Sequence, residues 1–174
     1  MMGRKLRAAG WCLALGCFFL FLTAQPVSCR EKPIVGWLER VSIEGDQLVV
    51  HAKIDTGADS CSLHVTDIDT YKKSGKRWIR FSVMNRSGES VFMERKVSRV
   101  ARIKRKQTES QRRYFVEMGI CLGDVYKKVQ VNLVDRSGFK FHMLVGRNFL
   151  RDSFVVDPSL QYTREPSCRK DSVQ

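Results

Sequence analysis

Residues 48–59 read LVVHAKIDTGAD, an apolar stretch that runs directly into the tripeptide Asp55-Thr56-Gly57. The stretch from Leu48 to Ile54 predicts a strand, and Gly57 permits a tight turn whose backbone N–H groups can reach a carboxylate. Asp and Gly are also the ordinary residues of a turn after a strand, so the tripeptide alone fits a structural turn as well. The segment therefore predicts a strand that ends at a turn carrying Asp55.

A second distinctive segment, residues 143–150, reads MLVGRNFL. Three apolar residues lead into Gly146, and a charged and an amide side chain separate them from the next apolar pair. We predict a short helix over residues 147–153, followed by a strand that begins at Phe154. Pro158 is then expected to end the regular part of the chain.

The two segments together resemble the active-site motifs of retroviral-type, or retropepsin-like, aspartic peptidases. The sequence KIDTGAD, followed by SLHV, is more similar to the motif of a bacterial family within that group. That family is often labelled an ATP-dependent zinc protease. The resemblance spans roughly residues 34–162. It implies an all-β fold, the closed acid-protease β-barrel, with one short C-terminal helix after the second motif.

The same resemblance implies a role for each residue of the first motif. Asp55 would be the catalytic acid–base residue, and Thr56 would hydrogen-bond across a homodimer. Gly57 would give backbone contacts to the carboxylates and the substrate, and Ala58 would keep the floor of the site small. Since the chain has one Asp-Thr-Gly, a dyad of two carboxylates requires a second copy of the chain.

The second motif would support the first. By resemblance, Asp59 would pair with Arg147, and Gly146 would let the second motif pack close behind the active loop. If that charge pair is partly buried, removing one partner should cost about 3–5 kcal/mol, because the remaining charge is desolvated.

The zinc and ATP of the family label find no support in these residues. A zinc hydrolase of that kind would show His-Glu-x-x-His or a comparable cluster, whereas the three histidines, His51, His64 and His142, are far apart in sequence. A Walker A sequence is absent from the chain as well. We therefore expect no metal and no cofactor, and we interpret His64 and His142 as structural.

Most of the remaining chain alternates apolar and polar residues with a period of two, which is typical of strands. Turn-forming clusters separate these runs at residues 44–46, 73–75, 85–88, 122–124 and 135–138. Short strands that are interrupted this often favour an all-β barrel or sandwich. The residues predicted to share the buried faces are Ile79, Phe81, Val83, Tyr114, Val116, Met118, Ile120, Val129, Val131, Leu133, Phe141, Met143 and Val145.

The N-terminus has the pattern of an export segment. Basic residues within positions 4–7 precede an uncharged, largely apolar run over residues 8–24. We divide the chain into a signal peptide or N-terminal membrane anchor at 1–28, a peptidase domain at 29–163 and a polar C-terminal tail at 164–174. The expected location is the periplasm, with membrane association through the N-terminus or lipidation at Cys29 as open alternatives.

Cysteine usage fits an oxidising compartment but leaves the pairing open. Outside the apolar run the chain has Cys29, Cys61, Cys121 and Cys168, and four cysteines allow three pairings. A bridge between Cys29 and Cys168, which flank the body, and four free thiols both remain compatible with the sequence.

The formal net charge is +13, and residues 94–113 hold nine basic side chains against two acidic ones. A nucleic-acid surface is not expected, because export argues against it and this segment has no aromatic residue for stacking. We take residues 97–113, with a tip near 107–110, as the candidate flap that closes over substrate. A flap this basic favours acidic or envelope-surface substrates.

Two functions of different class remain. The first is an aspartic endopeptidase of the bacterial envelope that acts as a homodimer on peptide or protein substrates. The second is a non-catalytic binding or assembly module that uses the retropepsin fold. The intact Asp-Thr-Gly-Ala sequence from Asp55 to Ala58 favours the enzyme, although a fold by itself never establishes an activity.

Overall fold

The computed structural model describes residues 31–45, 48–85, 87–105 and 108–168 of the chain, without the side chains of residues 103–105 and 108–111. The export segment at 1–28, Cys29 and residue 107 of the expected flap tip therefore lie outside the described residues, and residues 108–110 of the tip are described by their backbone alone. The chain divides into two units, Met1–Glu31 and Lys32–Gln174, and the second contains the fold. Within the described ranges, no helix is long and apolar enough to span a bilayer.

Ten strands and one helix make up the described part. In chain order they are β1 Ile34–Ile43, β2 Leu48–Ile54, β3 Cys61–His64, β4 Thr66–Lys73, β5 Lys76–Met84, β6 Ser90–Arg105, β7 Thr108–Leu122, β8 Val125–Val134, β9 Met143–Val145, α1 Arg147–Leu150 and β10 Val155–Gln161. The expectation of an all-β fold with one short helix after the second motif is confirmed. The helix is shorter than expected and ends at Leu150, and residues 151–153 continue as turns.

Six of the strands close into a barrel. The sheet runs β10-β1-β2-β9-β3-β8-β7-β6-β5-β4, and β1 pairs with β7 as well as with β2. That extra pairing, Ser42 with Cys121 and Ile43 with Ile120, joins the ring β1-β2-β9-β3-β8-β7. The closed barrel expected from the resemblance is therefore present.

The barrel is held by the alternating residues that the period-two pattern selects. Successive side chains of a strand point to opposite faces, so apolar residues at alternate positions of β7 and β8 enter the barrel, and those of β5 pack against the same core. Of the predicted set, the residues that are buried in the core are Ile79, Phe81, Val83, Val116, Met118, Ile120, Val131, Leu133, Met143 and Val145.

One strand continues past the point where the sequence pattern suggested an end. β10 runs through Pro158 to Gln161, contrary to our expectation. Proline is tolerated there because β10 is an edge strand, paired on one side with β1, and an edge position leaves an N–H without a ladder partner. β6 and β7 form a long antiparallel hairpin over the segment expected to be the flap.

The C-terminal segment after β10 is bound to the barrel. The backbone N–H of Thr163 and its hydroxyl donate to the buried carboxylate of Glu39, at 3.1 and 2.6 Å. Ser167 N donates to the Gly123 carbonyl at 2.7 Å. Arg164 and Ser167, in the first part of the expected tail, therefore hydrogen-bond to the barrel strands and their connecting turn.

A disulfide joins Cys168 to Cys121 on β7. The bridge between Cys29 and Cys168, which the sequence left open, is not formed, because Cys168 already has this partner. Cys61 is a buried free thiol.

Candidate active site

Asp55 follows the last residue of β2, where that strand lies parallel to β9. Ile54 is in register with Val145, and the Asp55 N–H donates to the Val145 carbonyl at 2.9 Å. Two buried strands, one from each sequence motif, therefore fix the backbone on which this carboxylate sits. The Asp55 side chain is partly exposed.

The Asp-Thr-Gly turn wraps around the Asp55 carboxylate. Gly57 N donates to Asp55 Oδ1 at 3.0 Å, and Ala58 N donates to the Asp55 carbonyl at 3.3 Å. A Cβ on residue 57 would lie 3.2 Å from the same carboxylate oxygen. A side chain at residue 57 would therefore push against the Asp55 carboxylate and displace it by a few tenths of an ångström. Thr56 and Gly57 lie on the exposed surface of the turn.

Gly146 lets the second motif pack directly against the turn. Arg147 N donates to the Ala58 carbonyl at 2.8 Å, and Asn148 N donates to the Asp59 carbonyl at 3.1 Å. These backbone bonds join the two motifs, as the resemblance implied. A Cβ at residue 146 would lie 2.7 Å from the Ser60 carbonyl carbon and oxygen, both backbone atoms that cannot rotate away.

A Gly146→Ala variant should therefore be destabilised by about 1–3 kcal/mol, the usual cost of forcing an extra methyl group into a packed site. Equilibrium denaturation measures this loss. Gly138→Ala is the matched control, because a Cβ there meets nothing within 4 Å. Equal stability of the two variants would contradict the tight packing.

Arg147 contacts the turn through its side chain as well. Its Nη1 donates to the Thr56 carbonyl at 2.8 Å, and its Nη2 forms an ion pair with the Asp59 carboxylate. The Asp59 side chain is 91% exposed and that of Arg147 is 39% exposed. In the single chain the pair is solvated and contributes at most about 1 kcal/mol, so the larger cost expected for a buried pair does not apply here.

Asn148 is a further junction residue, which sequence reasoning did not single out. Its Oδ1 accepts hydrogen bonds from Cys61 N at 3.1 Å and Cys61 Sγ at 3.2 Å, and its Nδ2 donates to the Gln130 carbonyl at 2.8 Å. Asn148 thereby links α1 to β3 and β8. Burial raises the pKa of the Cys61 thiol to about 11, so this cysteine stays protonated and serves packing rather than nucleophilic chemistry.

A cavity of about 380 Å³ opens beside Asp55. Its lining combines aromatic side chains with three cations and this one carboxylate, and is contributed by Trp37, Lys53, Asp55, Arg136, Phe139, Lys140, Phe141 and Leu144. Four of these residues belong to the segment 135–141 between β8 and β9, which we call the wall loop. The cavity is thus a basic, aromatic cleft with a carboxylate at its edge.

The wall loop holds Arg136 in a defined position. Arg136 Nη1 donates to Ser62 Oγ at 3.0 Å and Nε donates to the Phe141 carbonyl at 3.3 Å. The guanidinium also lies over the Phe139 ring, 4.5 Å from its centroid. Burial, followed by repulsion from Arg113, lowers the pKa of Arg136, and the charge of Asp55 opposes this shift.

Sequence reasoning missed Arg136 because residues 135–138 have the composition of an ordinary turn. The available signal was a basic residue in the loop that leads from a strand into the second motif. Arg113, on β7, belongs to the expected flap, and its positive charge repels that of Arg136 in the wall loop. The role of the β6–β7 hairpin as a flap remains a prediction.

The structure brings the seven predicted site residues into one contiguous unit. Asp55, Thr56, Gly57, Ala58 and Asp59 form the turn, and Gly146 and Arg147 bind it from behind. Across the ranges that the structure describes, no group of three or more His, Cys, Asp or Glu side chains is placed to hold a metal ion.

Comparison with known proteins places the chain in a family. Residues 34–167 match the RimB-like family, described as "Retropepsin-like aspartic endopeptidase RimB". A crystal structure of a Legionella pneumophila protein, described as having unknown function, matches with a TM-score of 0.67 and 32% identity. The match covers 78% of this chain and all of that chain. The resemblance inferred from the two motifs is confirmed.

Curated relatives have a different name and greater length. A "Probable alpha-L-glutamate ligase" of Shewanella pealeana is 31% identical over 113 residues, which is 63% of this chain and 25% of that protein. One of the same name from Parasynechococcus marenigrum is 28% identical over 132 residues, 74% of this chain and 28% of that protein. The chain therefore spans about a quarter of the length of these relatives.

Proposed function

The chain belongs to the RimB-like family of retropepsin-like aspartic endopeptidases, and from this we propose that it hydrolyses peptide bonds at a site shared by two copies of the chain. The observation that carries the proposal is the Asp55 turn. A carboxylate is held by the Gly57 N–H at the edge of an open cavity, which is the arrangement that a water-activating aspartate requires.

The reaction needs two carboxylates in contact. In the proposed dimer the two copies of Asp55 share one proton, because two neighbouring carboxylates do not both ionise. The ionised member takes a proton from water while the neutral member donates to the peptide carbonyl. The rate should therefore be highest at the pH where the pair holds a single proton, on the acid side of neutral.

The dimer is supported by the position of the turn. Thr56, Gly57 and Asp59 are exposed in the single chain, so a second copy can approach the Asp55 turn without rearrangement of the barrel. Sedimentation at increasing concentration tests this part of the proposal. Full peptidase activity from a strictly monomeric species would overturn it.

The cavity favours an acidic substrate. Lys53, Arg136 and Lys140 surround a single carboxylate, and the fixed side-chain bonds of Arg136 go to the uncharged oxygens of Ser62 and Phe141. Arg136 is partly buried, whereas Lys53 and Lys140 are exposed. A partly desolvated cation attracts anionic groups more strongly than a solvated one does, so Arg136 is expected to contribute most to this preference. Relatives named for an α-L-glutamate ligase activity make α-linked glutamyl peptides the sharpest candidate for this chain.

Arg136→Gln should lower kcat/KM for a glutamate-rich peptide about 10- to 100-fold, since a hydrogen bond to a charged group contributes roughly 1.5–3 kcal/mol. Cleavage of an uncharged peptide should change by less than about threefold. Peptidase assays with both peptides measure the difference. Arg77→Gln, an exposed arginine on β5 outside the cavity lining, is the matched control.

Two results would contradict this function. Equal losses with acidic and uncharged peptides would remove the assigned specificity. Parent activity that disappears with a zinc chelator and resists a pepstatin-type inhibitor would replace the aspartate dyad by metal chemistry.

The proposal includes export to the envelope. It is supported by the Cys121–Cys168 disulfide, because such bonds persist mainly in oxidising compartments, and by the basic residues before the apolar run of residues 8–24. Cell fractionation that recovers the protein with cytoplasmic markers would contradict this location.

A further inference from the structure

His64, the last residue of β3, is bonded to the wall loop. Its Nδ1 accepts a hydrogen bond from the backbone N–H of Arg136 at 2.8 Å, and the side chain is only 12% exposed. An N–H donor requires a lone pair on Nδ1, so the imidazole in this arrangement is neutral and carries its proton on Nε2.

β3 therefore accepts hydrogen bonds from both the side chain and the backbone of Arg136. Ser62, two residues before His64, accepts from Arg136 Nη1 at 3.0 Å, while His64 accepts from the Arg136 main chain. Residues i and i+2 of a strand lie on the same face, which is why one strand supplies both acceptors. Loss of the His64 bond would remove the backbone contact between β3 and the loop from which Arg136, Phe139 and Phe141 reach the cavity.

The groups around the imidazole oppose its protonation. Burial lowers the pKa of His64, followed by repulsion from His142, whose ring centroid lies 4.7 Å away, and Arg136 adds to this effect. Asp135, with Oδ1 3.6 Å from Nδ1, and a hydrogen bond with the Val134 backbone act in the opposite direction and raise the pKa. If Nδ1 were protonated, its N–H would face the N–H of Arg136, and two donors cannot bond to each other. The imidazole would then bond to the Asp135 carboxylate instead.

We propose that His64 is a positioning residue of the candidate active site: its neutral imidazole holds the wall loop against the Asp55 cavity, and its protonation releases that loop. The inference rests on the proposed function for its effect on catalysis. Its structural part, a bond between β3 and the loop that breaks in acid, stands apart from any activity.

The pH dependence of stability follows from the direction of the His64 pKa shift. In the unfolded chain the pKa of His64 has its ordinary value of 6.5, whereas in the folded chain the pKa is lower. Below pH 6.5 the unfolded state therefore binds more protons, and the stability gained from the neutral imidazole falls as the pH drops towards the folded value. The wall loop should loosen at the lower end of that window, where the pH passes through the folded pKa of His64.

His64→Asn is the informative variant, because an asparagine Oδ1 can accept the Arg136 N–H bond at a similar place and does not titrate. The acid limb of kcat/KM for a glutamate-rich peptide should lie about one pH unit lower in this variant than in the parent, with little change at neutral pH. His64→Leu, which has no acceptor, should lower kcat/KM at every pH, mainly through KM.

His142→Asn is the control. It retains the His64–Arg136 bond and removes a like charge, so its acid limb should persist and move to slightly higher pH. The amide resonance of Arg136, followed by NMR from pH 7 downwards until His64 is protonated, supplies a readout that needs no substrate. It should titrate in the parent and stay constant in His64→Asn.

The outcomes separate the two proposals. An Arg136 amide that does not respond to pH in the parent, or that titrates equally in His64→Asn, overturns the role of His64. A parent that cleaves no peptide while the Arg136 amide titrates as expected overturns the peptidase function and leaves the β3–loop bond intact. An unchanged acid limb in His64→Asn overturns the catalytic effect.

Discussion

Asp55→Asn should reduce peptide hydrolysis about 10²- to 10⁴-fold, the range over which a positioned general acid–base group contributes. The change exchanges one carboxylate oxygen for an amide nitrogen in each copy of the chain. The paired side chains then have no group that can take a proton from water. The fold should persist, because the asparagine Oδ1 can still accept the Gly57 N–H bond that orients residue 55.

The measurement is a peptidase assay of parent and variant beside Asp69→Asn, an exposed aspartate on β4. This control removes the same charge without touching the turn and should retain parent activity. An Asp55→Asn protein that cleaves at the parent rate would show that the assignment is wrong. A folded parent that binds acidic peptides without cleaving them would favour the binding-module alternative.

The strands and the turn that carries Asp55 were predictable from local sequence. Alternation along β5, β7 and β8 selects the buried residues directly, because the side-chain period of a strand is two. Asp55 and Gly146 were recognisable because each ends or follows an apolar strand in a fixed motif. The resemblance of two motifs then supplied the long-range pairing of β2 with β9, which no local pattern contains.

Properties set by distant parts of the chain were not predictable. Exposure of the Asp59–Arg147 pair depends on how far the turn projects from the barrel, and a motif carries no information on that distance. Arg136 is held at the cavity by its hydrogen bond to Ser62, which lies far from it in sequence. Its turn-like surroundings, residues 135–138, concealed that contact.

The histidines show the same limit. His64 and His142 are separated in sequence, and we interpreted both as structural. In the fold their rings are neighbours, since the His64 N–H donates to the His142 carbonyl at 2.7 Å beside β9. That proximity and the Arg136 bond make His64 part of the support for the cavity.

Loss of the Cys121–Cys168 disulfide should have the largest effect on stability. The bond closes a loop with a sequence separation of 47, and the chain-entropy treatment of a loop of that size gives about 4 kcal/mol. Cys168→Ser should therefore raise the unfolding equilibrium constant roughly a thousandfold. Denaturant titration of parent and variant under non-reducing conditions measures the difference.

The structure adds a local reason for this cost. The disulfide lies at the end of the C-terminal segment whose Thr163 N–H and hydroxyl donate to Glu39. Glu39 is fully buried and otherwise receives the Gly36 N–H at 2.6 Å. If the segment detaches, this carboxylate loses partners inside the protein, and a buried charge without hydrogen bonds is strongly unfavourable.

A reductant separates the disulfide from other effects of the substitution. It should lower the stability of the parent and of Cys61→Ala, which keeps the bridge, by a similar amount, and it should leave Cys168→Ser unchanged. Equal stability of the oxidised and reduced parent would contradict the prediction. If reduction instead destabilised Cys168→Ser as strongly as the parent, the responsible cysteine would lie elsewhere in the chain, because this variant has no bond between residues 121 and 168 to lose.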